Sequence, residues 1–89
     1  MPRLCSDFYG ISVYLYFKDI DQHHLPHVHA FHGDDEAVFA LNGDVLEGDL
    51  QSTARKRVRA WLAQEHSGIQ KAWELAAIGK PFQRVNSLR

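Results

Sequence analysis

The hydrophobic period of this chain changes near Leu50, and this change limits its fold more than any other feature of the sequence. Before Leu50, apolar and polar residues alternate in short runs, which is typical of β-strands. After Leu50, apolar residues recur at helical spacing. The pattern predicts one α+β domain over residues 1–89, in which residues 1–50 form an antiparallel three- to four-stranded meander. Residues 51–89 are predicted to form two helices packed on one face of that sheet.

Four segments of the first half have strand patterns, and turn residues separate them. The Gly-Asp-Asp sequence at 33–35 predicts a turn. Asn42-Gly43 predicts a two-residue hairpin loop, because both residue types tolerate positive φ. The predicted strands are residues 11–17, 27–32, 36–41 and 45–47.

Two amphipathic helices are predicted in the second half. The first runs from an N-cap at Ser52 or Thr53 to about Gln64. The second begins with a capping box made by Ser67 and Gln70. Their apolar stripes are Ala54, Val58, Trp61 and Leu62 on the first helix, and Ile69, Ala72, Trp73, Ala76 and Ala77 on the second.

The end of the second helix is also marked in the sequence. Gly79 supplies a left-handed cap, and Pro81 prevents the helix from continuing. Beyond it, Phe82, Val85 and Leu88 give the C-terminal segment enough apolar surface to dock on the domain.

Charge is distributed unevenly along the chain, although the net charge is only −1. Residues 1–50 carry nine acids and two bases, whereas residues 51–89 carry eight bases and two acids. This separation of an acidic half from a basic half favours binding to a nucleic acid, a charged partner protein or a second copy of the chain, so a homodimer is one option.

Composition excludes several classes of protein. Hydrophobic residues make up 45% of the chain and charged residues 24%, unlike a disordered protein. The longest apolar runs are far too short to cross a bilayer, so no membrane association is expected. The N-terminus lacks the apolar core of a secretory signal, which predicts a cytoplasmic protein. The single cysteine, Cys5, excludes an intramolecular disulfide.

Five of the six histidines lie within residues 23–32, and this cluster is the main candidate for chemistry. Alternation along the predicted strand puts His27 and His29 on one face, and His24 can reach them from the preceding loop. Converging neutral imidazoles bind divalent transition metals, with a carboxylate from residues 34–36 as a further ligand.

Three interpretations of the histidine cluster stay open. It can hold a divalent transition metal through His24, His27 and His29. His27 and His29 can instead act as acid and base in a hydrolase, with RNA as the substrate. The third interpretation is structural, with the rings hydrogen-bonded to the backbone or stacked on Tyr14 and Tyr16. No recognised catalytic motif occurs, so an enzyme is not favoured and no cofactor is expected.

A basic run lies on the first predicted helix, on the side that faces away from the apolar stripe. It can contact phosphate groups or an acidic partner protein. Its members are Arg55, Lys56, Arg57 and Arg59.

Five segments occur in a distinctive order: Phe8-Tyr9-Gly10-Ile11, residues 24–30, residues 43–48, Arg59-Ala60-Trp61 and Trp73-Glu74-Leu75. Together they resemble the small bacterial family called domain of unknown function 4160. The most specific parts are the Pro-His-x-His-Ala motif at residues 26–30 and the Val-Leu-Glu-Gly turn at residues 45–48. The motif residues carried over by the resemblance are His24, Pro26, His27 and His29, which have no assigned role.

The resemblance implies a function as well as an α+β fold. Members of this family are often found beside genes for another small family, in pairs like those of toxins and antitoxins. We therefore expect a protein-interaction module that binds a small partner protein encoded nearby, with nucleic acid as a further ligand.

Overall fold

A four-stranded antiparallel sheet and two helices make up the part of the chain that the computed structural model describes, residues 2–16 and 25–89. The strands are neighbours in chain order, and one face of the sheet shares a hydrophobic core with both helices. The predicted α+β meander with two following helices is therefore confirmed. The elements are β1 (Ile11–Tyr14), β2 (His27–His32), β3 (Asp35–Ala40), β4 (Val45–Gly48), α1 (Ser52–Gln64) and α2 (His66–Ala77).

Strand β1 is shorter than the predicted strand over residues 11–17. Its pairing with β2 ends where Tyr14 lies opposite His29. Leu15 then donates its backbone N–H to the carbonyl of Pro2 at 3.0 Å, so the chain continues against the N-terminal segment. Phe17, assigned to the same strand from the sequence, lies outside the described residues.

A tight turn that the sequence analysis missed brings the N-terminal segment to the edge of the sheet. Tyr9 and Gly10 have φ of 51° and 74°, as a type I′ turn requires. Phe8 and Ile11 exchange backbone hydrogen bonds of 3.1 and 2.8 Å across it. Leu4 then donates its N–H to Val13 at 2.9 Å, which adds residues 2–4 beside β1.

The β3–β4 hairpin forms at the predicted place, but three residues, 41–43, instead of two lie between the hydrogen-bonded residues Ala40 and Asp44. Ala40 accepts a hydrogen bond from the N–H of Gly43 at 2.9 Å and donates its own N–H to Asp44 at 2.8 Å. Only Gly43 has positive φ, 99°, whereas Asn42 does not. Leu41 and Asn42 therefore form an ordinary turn, and Gly43 supplies the left-handed step that returns the chain to β4.

Neither helix begins with the predicted side-chain cap. Arg55 donates its N–H to the carbonyl of Gln51 at 2.9 Å, so Ser52 already lies inside the first turn of α1. Glu65 alone separates the helices, and Ser67 consequently lies within the first turn of α2, where it cannot form a capping box. Within the described residues, neither helix has the length and apolar content needed to span a bilayer.

The C-terminal end of α2 is the one predicted from the sequence. Gly79 has φ of 72° and donates its N–H to Ala76 at 3.1 Å. The next residue, Lys80, donates to Leu75 at 2.9 Å. This pair of bonds satisfies carbonyls that the end of the helix would otherwise leave open.

The C-terminal segment docks on the core, as predicted. Trp61, at the centre of the core, donates its indole N–H to the carbonyl of Asn86 at 2.8 Å. Val85 donates its backbone N–H to Leu4 at 2.9 Å, so the segment lies between α1 and the N-terminal residues. Both ends of the described chain therefore close the same core.

Candidate functional site

Side chains on the sheet face opposite the helices form three rows across the strands. The register of the four strands and the bridge between Arg3 and Tyr14 set these rows. We call this side the outer face. Its rows are Ser12, Phe31 and Glu36; then Arg3, Tyr14, His29, Val38 and Glu47; then His27 and Ala40.

Aromatic rings occupy the middle of the outer face. Tyr14 and Phe31 meet edge to face, with ring centroids 5.5 Å apart. Tyr16 meets the His29 ring edge to face at 5.8 Å. Tyr14, Tyr16 and Phe31 are all half-buried, so part of each ring is accessible on this side of the sheet.

His29 lies at the centre of the outer face, and a carboxylate holds its ring. It is only 8% exposed, and its Nδ1 lies 3.3 Å from Oε2 of Glu36. Since a carboxylate oxygen accepts hydrogen bonds, this contact favours a proton on Nδ1 and makes Nε2 the acceptor nitrogen of the neutral ring. The stacking partner is Tyr16, as one sequence interpretation proposed, whereas Tyr14 contacts Phe31 instead.

His27 joins the outer face to the helices. It is completely buried, and its ring centroid lies 5.4 Å from that of His29 and 5.1 Å from that of Trp73 in α2. Its Nδ1 lies 2.8 Å from the carbonyl oxygen of Leu25. A carbonyl only accepts, so Nδ1 of His27 carries the proton. In the neutral form, both neighbouring imidazoles therefore carry their proton on Nδ1.

The remaining predicted ligands are not gathered around this pair in the described residues. His24 lies outside the described residues, and Pro26 precedes β2. Of the three acids at residues 34–36, only Glu36 reaches a histidine of the pair. Asp34 lies in the turn, and Asp35 pairs with His32 at the opposite end of β2. Residues 2–16 and 25–89 contain no group of three or more metal-ligating side chains.

Most of the basic run on α1 contacts the rest of the protein. Arg55 binds Asp49 at 2.8 Å, and this hydrogen bond is the main reason that the pKa of Asp49 is lowered. The Arg57 guanidinium lies 3.9 Å from the centre of the Tyr9 ring. Arg59 donates to the carbonyl of Gly43 at 2.9 Å. The fourth member, Lys56, is exposed.

The sequence analysis gave Arg3 no role, although it ends the longest row of the outer face. It forms an ion pair with Asp7 and donates to the Tyr14 hydroxyl at 3.1 Å. Its guanidinium also lies 5.4 Å from the centre of the Tyr14 ring. The spacing of Arg3 and Asp7 hints at the ion pair, but the contact with Tyr14 depends on the unpredicted turn at residues 9–10.

Cys5 is completely buried, and desolvation of its thiolate raises its pKa to about 11. The thiol therefore stays protonated near neutral pH, which makes it unreactive as a nucleophile.

A family model described as Domain of unknown function (DUF4160) matches residues 10–74. The matched range covers the whole sheet, α1 and most of α2, including both buried histidines. Comparisons with curated proteins and with solved structures gave no match.

Proposed function

The chain belongs to the DUF4160 family, and we propose that it is a protein-interaction module that binds a small partner protein through its outer face. The observation that carries this proposal is the group of half-buried aromatic rings formed by Tyr14, Tyr16 and Phe31. Tyr14 and Phe31 lie on the outer face, away from its His27 end, where Trp73 of α2 packs. Aromatic residues and arginine are enriched at protein interfaces because they bury large areas with few rotatable bonds.

The acidic residues beside the aromatic group favour a partner with a basic surface. Glu36 and Glu47 are exposed on β3 and β4, next to the aromatic group. A partner surface that complements this side carries apolar residues opposite the rings and lysine or arginine opposite these acids. We propose the product of an adjacent gene as this partner, in a toxin–antitoxin-like pair acting in the cytoplasm. The gene arrangement implied by the family resemblance supports this choice.

Replacing Tyr14 and Phe31 with alanine is expected to weaken partner binding at least tenfold, because two central aromatic contacts are lost. The measurement is co-expression with the neighbouring gene product, then pull-down and titration calorimetry. Ile78→Ala is the matched control, since Ile78 is 66% exposed at the end of α2 and should leave affinity within about twofold. Absence of any complex with the wild-type chain, or equal losses in both variants, would reject the proposal.

A second candidate function is a histidine-based hydrolase that acts on RNA. The observation that favours it is the neighbouring pair of buried imidazoles, His27 and His29, whose ring centroids lie 5.4 Å apart, with Nδ1 of His29 held by Glu36. Glu36 orients His29 as a carboxylate orients a general base or a metal-bound imidazole. A divalent transition metal bound by these histidines, with His24 as the third ligand, belongs to this second candidate.

The hydrolase candidate predicts cleavage of single-stranded RNA by untagged protein, tested with and without added zinc. His29→Gln should lower the rate at least a hundredfold, because the proton-transferring nitrogen is removed. Glu36→Gln should cost about tenfold while keeping the shape of the side chain. Thermal melting checks that both variants are folded. A change at fully buried His27 is not used, because it would itself destabilise the fold. A wild-type chain that leaves RNA intact in both conditions would eliminate this candidate.

A further inference from the structure

Two adjoining cavities lie where α2 meets the C-terminal segment. Their volumes are about 410 and 610 Å³, and both are lined by Pro81 and Arg84. Lys71 lines the first cavity, and Lys80 and Arg3 line the second. Among the described residues that line them, neither cavity has an aspartate or glutamate. We call these joined cavities the basic cleft.

Three cations of the basic cleft are more available than Arg55 and Arg59 of α1. Lys71, Lys80 and Arg84 are exposed. In contrast, Arg55 is paired with an acid and Arg59 with a backbone carbonyl. An anionic ligand on α1 competes with these internal contacts. In the basic cleft, only Arg3 has a described ion pair, with Asp7, and no acid lines the cavities among the described residues.

The end of α2 explains only part of this charge. A cation just after a helix C-terminus is stabilised by the helix dipole, and this accounts for Lys80. Lys71 lies in the middle of α2, and Arg84 lies in the C-terminal segment, so neither gains from that effect. Residues 66–89 as a whole contain four bases and one acid, which extends the positive field around the cleft.

We propose that the basic cleft binds the backbone of a single-stranded nucleic acid. Phosphate groups along such a strand match the exposed cations of a cleft whose described lining has no acid. The apolar part of the lining fits the same ligand, since it includes exposed Pro81 and half-buried Phe82, whose ring is a surface on which a base can stack. Proteins that bind single strands combine these two features, a positively charged groove and an aromatic stacking surface.

The test is fluorescence anisotropy with labelled 12-residue RNA and DNA oligonucleotides of the same sequence, at two salt concentrations. The Lys80→Gln/Arg84→Gln variant should bind at least tenfold more weakly, and its salt slope should fall by about 1.4 because two phosphate contacts are lost. Lys56→Gln/Arg57→Gln is the matched control with the same change of charge on α1, and should stay within about twofold. Circular dichroism checks that both variants are folded.

Binding of either oligonucleotide with this pattern supports the proposal, and the ratio of RNA to DNA affinity gives the preference for the sugar. Three results would overturn it. The first is no binding by the wild-type chain at low salt, and the second is an equal loss of affinity in the α1 control. The third is that a polyglutamate peptide of the same length displaces the oligonucleotide and binds as tightly as it does. This test is independent of the outer face, so it does not depend on the proposed partner protein.

Discussion

Replacing Gly48 with alanine should destabilise the fold by about 2 to 4 kcal/mol, a large part of the stability of a small domain. Gly48 has φ of +70°, and a Cβ at this position would lie 2.2 Å from the backbone carbonyl oxygen of Glu36. The added methyl group therefore meets both a disfavoured backbone conformation and a steric clash that no side-chain rotation can relieve. We expect a lower midpoint in thermal and urea unfolding followed by circular dichroism.

Gly33→Ala is the matched control for this prediction. Gly33 also has positive φ, +60°, but nothing lies within 4 Å of the position a Cβ would take. Its replacement should therefore cost only the conformational part, about 1 to 2 kcal/mol. If the two variants unfold at the same midpoint, the close approach of Gly48 to β3 has no energetic importance.

The position of Gly48 connects the family motif to the candidate site. Gly48 lies opposite Ala37, next to Glu36, whose carboxylate contacts His29. If a Cβ at Gly48 displaces β4, it also displaces the neighbouring strand β3, which carries this carboxylate. The Val-Leu-Glu-Gly segment is thus connected to the Pro-His-x-His-Ala segment through β3, which pairs with both.

The sequence predicted the elements of the fold well because hydrophobic period depends on local residue order. Alternation identified the four strands, and helical spacing identified both helices and the buried tryptophans. The wrong predictions concern the helix starts, the end of β1 and the length of one loop. Ser67 has the right residue type for an N-cap, but the single linking residue Glu65 had already fixed the start of α2. The start of α2 is therefore determined by the length of the link between the helices, and not by the capping propensity of Ser67.

Part of the candidate site could also have been predicted from the sequence. The two-residue turn at Gly33 and Asp34 places Glu36 opposite Phe31, on the same face as His29. Knowing that turn length would have selected Glu36 from the three adjacent acids. The burial of His27 against Trp73 was not predictable, since it depends on how α2 crosses the end of the sheet.

The basic run on α1 shows why charge patterns are harder to interpret than hydrophobic ones. From the sequence, Arg55 and Arg59 belong to one exposed patch. In the folded chain, Arg55 meets an acid of the first half, and Arg59 caps the β3–β4 loop. The bases that line open cavities instead come from α2 and the C-terminal segment, where they are scattered along the sequence. Tertiary contacts therefore determine which cations a ligand can reach.

Replacing Trp61 with alanine should destabilise the chain by about 3 to 5 kcal/mol, because a fully buried indole leaves a cavity at the centre of the core. Its ring packs on Phe8 at a centroid distance of 5.8 Å, and its N–H binds the carbonyl of Asn86. Trp61→Phe separates these contributions in part, since it keeps an aromatic ring but removes the donor and part of the ring volume, at about 1 to 3 kcal/mol.

Urea unfolding measures the Trp61 variants, and hydrogen exchange of residues 85–89 measures release of the C-terminal segment. Trp61→Phe should speed this exchange while the amides of β2 and β3 stay protected, because the lost hydrogen bond holds only the segment. Ile78→Ala, at an exposed position, should change stability by less than about 0.5 kcal/mol and leave the exchange unchanged. If Trp61→Ala stays within about 1 kcal/mol of the wild-type chain, the core does not depend on this residue. If Trp61→Phe leaves exchange of the segment unaltered, the backbone contact between Val85 and Leu4 is sufficient to hold it.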